Sequence, residues 1–274
     1  MERTDFNTKT QITNQQKITM KNVFIAMFLA LILSGSLAAQ QQTTQLLLTG
    51  ASFADVYNGW FEFGCESLNA IPINRAVGGE SIVHTAEKMN DGTLYSKTEL
   101  ENIDALIIMH VHEKDVFNDP NNWLRNKYSN YQFPMDINNY VGAYDYVIKR
   151  YISDCYQLKF DSASAYFNAP AGKPALIVLC THWHDARVTF NTTVRQLGQK
   201  WGLPVIEFDK NIGFTKNEMH PVTNDQYSLI FSSDTQEQDG VVYGWHPQRG
   251  DTYIQRKMAA VMVHKMKQVL PLYE

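Results

Sequence analysis

From residue 45 onward, short apolar runs alternate with stretches whose apolar residues recur every three or four positions. "QLLLTG" is a continuous apolar run, the mark of a strand buried on both faces. "DVYNGWFEFGCESLN" follows with Val56, Trp60, Phe63 and Leu68 at helical spacing. "IPINRAV" predicts a short second strand, and "SIVHTAEKMNDG" a helix closed by Gly92. "DALIIMHV" is a third apolar run, after which "NDPNNWLRNKYSNYQFPMD" has no periodicity. Ile137, Tyr140, Val141, Tyr144, Val147, Ile148, Tyr151 and Ile152 then mark one face of a long helix. "KPALIVLCT" and "GLPVIEFD" predict two more strands flanking an amphipathic helix near residues 190–201, and "GDTYIQRKMAAVMVHKMKQVL" predicts the closing helix. Five apolar strands separated by helices specify an α/β fold, a three-layer α/β/α sandwich around a mostly parallel five-stranded sheet.

The residues before this pattern are of another kind. From Met20 the chain reads "MKNVFIAMFLALILSGSLAAQ": Lys21 is a positive head, Val23 to Leu33 an apolar stretch, and small residues follow to Ala38. This predicts a secretory signal peptide cut near Ala38 or Ala39. The apolar stretch is shorter than the roughly 18–20 residues of a spanning helix, so no membrane anchor is expected after cleavage. Residues 1–38 are therefore read as an N-terminal extension and signal, and 39–274 as one domain, with a secreted or periplasmic location. The hydrophobic fraction of 44% suffices for a large core, and the net charge of −4 gives no reason to expect nucleic acid as a partner. Three cysteines, Cys65, Cys155 and Cys180, are too few for a disulfide framework. One pair plus a buried thiol and three buried thiols both remain open.

In parallel sheets of this kind, sites form beyond the carboxyl ends of the strands. Ser52 lies just past the first strand, and "NRAVGGES" (74–81) ends the second with paired glycines that let backbone N–H groups approach a ligand. His246, in "GWHPQRGD", is fixed in an extended approach by the following proline, beyond the last strand and before the closing helix. Serine after the first strand, glycines after the second and His-Pro before the final helix, in that order, resemble the SGNH (GDSL-type) hydrolases, whose sheet is flavodoxin-like. The resemblance implies that Ser52 is a nucleophile, that His246 is its general base, and that the main-chain N–H groups of Ser52 and Gly79 bind the oxyanion.

The chain also departs from that family. Gly-Asp-Ser reads Gly50-Ala51-Ser52. Where the family has Gly-x-Asn-Asp after the third strand, "MHVHEKDV" offers His112, Glu113 or Lys114, of which His112 and Lys114 could donate a hydrogen bond. The family's aspartate three residues before the histidine is Tyr243 here. Either Asp239 or a main-chain carbonyl near Tyr243 is then expected to orient His246, with the carbonyl favoured because "GVVYGW" suggests an extended segment that carries Asp239 away. "THWHDAR" (181–187) resembles the His-x-His-x-Asp of metallo-β-lactamases. Its register fails, since Ala186 stands where the aspartate belongs and Asp185 comes one residue early. No metal and no cofactor is expected, and His182 and His184 are read as lining the rim of the cleft.

These readings converge on a secreted serine esterase using a Ser-His acyl-enzyme mechanism on a small-molecule or carbohydrate ester, with acetyl groups on a carbohydrate as one substrate class. Trp123, Tyr128, Tyr131 and Phe133 in the aromatic insert are candidates for a sugar-stacking wall, or for packing the insert onto the domain. A non-catalytic carbohydrate-binding or scaffold protein on the same fold is the alternative, and a metal-dependent hydrolase using "THWHD" a weaker one.

Overall fold

The structure is a computed structural model and describes residues 43–55, 58–111, 140–213, 218–238 and 240–270. Its centre is a parallel sheet of β1 (Gln45–Gly50), β2 (Ile71–Asn74), β3 (Ala105–Met109), β4 (Ile177–Cys180) and β5 (Val205–Ile206), in the order β2-β1-β3-β4-β5. The apolar runs form these strands because both faces of the sheet are covered: Leu46, Leu47 and Leu48 point alternately to opposite faces and all three are fully buried.

Helix α1 (Trp60–Ser67) packs on the closing helix α8 (Tyr253–Val269), while α2 (Ile82–Asp91) packs on the long α4 (Tyr140–Gln157). A short α3 (Lys97–Asn102), capped by the Ser96 hydroxyl accepting the Glu99 N–H, precedes β3. Helix α5 (Val188–Trp201) joins the α4 side, where the Trp201 indole N–H and Lys200 meet the buried Asp145 carboxylate. The result is the three-layer α/β/α sandwich that the apolar pattern predicts. Two one-turn helices, α6 (Phe208–Asn211) and α7 (Tyr227–Ile230), follow β5.

Beyond the pattern lies a second sheet. β6 (Thr235–Gln238) and β7 (Val241–Gly244) form an antiparallel hairpin separate from the main sheet, prolonged by a bridge between Ser232 and Pro247. The helix expected over "DVYNGWFEFGCESLN" begins only at Trp60. All three cysteines are buried free thiols, so the paired alternative is not realised. Among the described residues no helix is long and apolar enough to cross a membrane.

Chain order places the site. β2 lies on one side of β1 and β3 on the other, so connections leave β1 and β3 in opposite directions, opening a crevice at their carboxyl ends.

Candidate active site

β1 ends on Gly50 because nothing larger fits. A Cβ there would stand 2.7 Å from the Met109 carbonyl oxygen on β3 and 2.8 Å from the Ala54 Cβ. The chain turns at once, the Ala54 N–H donating to the Ala51 carbonyl at 2.9 Å, and Ser52 sits at the corner of that turn. The bend is held from β2: Asn74 Nδ2 donates to the Ala54 carbonyl at 3.0 Å and to Glu62 Oε1 at 2.9 Å, while its Oδ1 accepts the Ala76 N–H at 3.0 Å. Asn74 thus joins the Ser52 turn, α1 and the glycine loop, a part not foreseen although the residue opens the quoted motif.

The glycine loop is docked on the end of β1 through the Val77 N–H, which donates to the Gly50 carbonyl at 3.1 Å. A second turn closes between Glu80 N–H and the Val77 carbonyl at 3.2 Å, with Gly78 and Gly79 at its corner and Gly79 at φ 84°. Gly78 faces the serine, since a Cβ on it would lie 3.8 Å from Ser52 Cβ and 3.1 Å from Asp55 Oδ2. Gly79 therefore belongs to the turn beside Ser52.

His246 Nε2 stands 2.8 Å from Ser52 Oγ. His246 Nδ1 lies 2.6 Å from Asp234 Oδ2, and the His246 main-chain N–H donates to Asp234 Oδ1 at 2.7 Å. A carboxylate only accepts, so the Nδ1–H donates and Nε2 presents a lone pair to the Ser52 hydroxyl. The Asp234 side chain is 48% exposed, so water screens its field and its main effect is to fix ring orientation and tautomer. Phe53 packs against the imidazole, ring centroids 5.1 Å apart, and is backed by Trp245 at 5.0 Å and His182 at 4.6 Å. A cavity of about 20 Å³ opens beside Ser52 and His246, bordered by Phe53, Gly59, Trp60 and Arg249.

The partner of Nδ1 is thus a carboxylate that the sequence reading did not consider, and not the main-chain carbonyl it favoured. Tyr243 is fully buried, with its ring against His184. Asp239, His112, Glu113 and Lys114 lie outside the described residues, as do Trp123, Tyr128, Tyr131 and Phe133. His182 and His184 do not line a rim: both are fully buried. His184 commits both ring nitrogens, Nδ1 accepting the Ala186 N–H at 3.1 Å and Nε2–H donating to the Gly244 carbonyl at 2.7 Å. Burial, then His184 and Arg187, hold His182 well below the ordinary histidine value, so it is neutral.

Comparison with solved structures finds similar ones at very low identity. A "possible lipase" from Chitinophaga pinensis is 13% identical, with a TM-score of 0.52 over 82% of this chain and 98% of that one. A protein assigned to the G-D-S-L lipolytic family from Desulfitobacterium hafniense is 9% identical, with a TM-score of 0.46 over 81% of this chain and 99% of that one. No curated protein matches. One family model does, over residues 43–270, described as "Domain of unknown function (DUF5040)". The chain belongs to that family, and its fold is that of the SGNH (GDSL-type) hydrolases.

Proposed function

We propose that the protein is a serine esterase in which Ser52, His246 and Asp234 form the catalytic triad. One observation carries the reading: Ser52 Oγ, His246 and Asp234 are linked in series by contacts of 2.8 and 2.6 Å, with the imidazole in the tautomer that accepts the serine proton. His246 Nε2 takes the proton as Ser52 Oγ attacks the ester carbonyl. The N–H groups of Ser52 and Gly79, on adjacent turns, stabilise the oxyanion. Collapse expels the alcohol, which takes its proton from His246, and a water activated by the same nitrogen then releases the acyl group as a carboxylic acid. For the acyl group we take acetyl, the substrate class the family resemblance suggests, and the leader-like residues 20–38 support a secreted or periplasmic setting. For the alcohol we propose a carbohydrate, with the aromatic residues between 123 and 133 as its stacking surface.

The test is reaction with a fluorophosphonate probe. Wild-type protein should label at Ser52 and hydrolyse short-chain aryl esters. Ser52→Ala should do neither while melting like wild type. Unchanged hydrolysis by that variant overturns the reading.

A further inference from the structure

The "THWHDAR" segment has no part in the chemistry above, yet it reaches the residues that immediately precede His246. Trp183 Nε1–H donates to the Trp245 carbonyl at 2.8 Å, and His184 Nε2–H donates to the Gly244 carbonyl at 2.7 Å. We propose that Trp183 and His184 are positioning residues for His246: their ring N–H groups grip two consecutive carbonyls and fix the end of β7 against the Ser52 turn. The proposal rests on the esterase reading.

The need for such a grip follows from topology. Asp234 and His246 flank the two strands of the hairpin, which forms a sheet separate from the main one, whereas Ser52 follows β1 in the main sheet. Asp234 cannot supply the link, because it moves with His246. His184 and Trp183 can, because they follow β4, a strand of the same sheet as β1.

The grip is itself rigid. The His182 N–H donates to Asn191 Oδ1 at 2.8 Å and Asn191 Nδ2 donates back to the His184 carbonyl at 3.1 Å, so α5 staples the loop. His182 Nδ1 accepts the His184 N–H at 3.3 Å. The other sides of the gripped peptides are held too. The Gly244 N–H donates to Ser228 Oγ at 3.0 Å and the Trp245 N–H to the Asp234 carbonyl at 2.9 Å. Arg187, itself buried, lies over the Trp245 ring at 4.2 Å.

Three variants of the full chain test this. His184→Asn keeps an acceptor for the Ala186 N–H but loses the donor to Gly244. His184→Gln restores an amide donor near the Nε2 position. Trp183→Phe removes only the indole N–H and part of the ring. The readouts are the rate of fluorophosphonate labelling at Ser52, the split between kcat and KM on an aryl ester, and the pH profile of kcat/KM. An ångström-scale shift of the base costs about 10²-fold. His184→Asn and Trp183→Phe should therefore lose kcat and labelling rate on that scale at nearly constant KM, with a displaced acidic limb in the pH profile, and His184→Gln should recover much of the loss. Wild-type labelling rates in both loss variants would overturn the proposal, as would equal loss in Gln and Asn. Failure of both loss variants to fold would also overturn it, since the rings would then be holding the core and not His246. If wild-type protein itself does not label, the esterase reading fails instead.

Discussion

Asp234 and His246 stand on opposite arms of one hairpin, twelve residues apart, and the ring Nδ1–H and the main-chain N–H of the histidine both donate to that single carboxylate. The family pattern places its aspartate three residues before the histidine on one loop. Here the acid comes from the neighbouring arm, so the same contact is made through strand pairing.

Asp234→Asn keeps the shape but offers Nδ1 a side chain that no longer fixes one tautomer. Turnover should fall between about 10²- and 10⁴-fold, the upper figure being that of a buried triad aspartate and the half-exposure of Asp234 pulling the loss down. Ester hydrolysis with matched melting curves measures it. A near-silent substitution would remove Asp234 from the triad.

The paired glycines should separate by effect. Alanine at Gly79 has open space around its Cβ but inherits φ 84°, so stability should drop by about 1–2 kcal/mol. Alanine at Gly78 would press on Asp55 Oδ2 and approach Ser52, so turnover should suffer more than stability. Denaturant unfolding alongside kinetics would reveal a reversed order.

His182 gives the fold a dependence on pH. Its folded value is depressed below the ordinary 6.5, so below that pH the unfolded chain binds a proton that the folded chain refuses. The contribution is fully present above 6.5 and is lost as pH falls towards the folded value. His182→Asn retains an acceptor for the His184 N–H and removes the titration. Between about pH 7.5 and about pH 5 its melting temperature should fall less steeply than that of wild type. Parallel curves would show that His182 contributes no slope.

Burial pushes the Cys65 thiol up to about 12 and that of Cys155 to about 11, and raises Cys180 as well. Native protein should resist iodoacetamide at mildly alkaline pH, and denatured protein should take up three equivalents, one per cysteine. An intact mass two hydrogens lighter would mean that a disulfide has formed.

The main sheet was legible because burial on both faces writes itself as unbroken apolar runs, as in Leu46 to Leu48 and Ala105 to Met109. That Ser52, the glycine turn and His246 come together was legible from their order along the chain. Asp234 was not, because "SSDTQEQDG" is uniformly polar, and the resemblance directs attention to the position three residues before His246, which is Tyr243. A signal was present nonetheless. Asp239-Gly240 between "TQEQ" and "VVYG" is a hairpin signature. Counting pairs outward from Gln238 and Val241 brings Asp234 opposite Trp245, next to the histidine. The clamp was hidden for a different reason: a histidine pair two residues apart suggests ligands, and only tertiary structure reveals that its neighbours are carbonyls.

Because acid and base meet across a strand pair, their alignment has no intermediate settings. Removing one residue from either arm would slip the pairing by one position and part Asp234 from His246, whereas altering the tip symmetrically would leave the two where they are. Tolerance to change in this part of the molecule is therefore a matter of length: equal additions to both arms keep the acid beside the base, and an unequal one separates them.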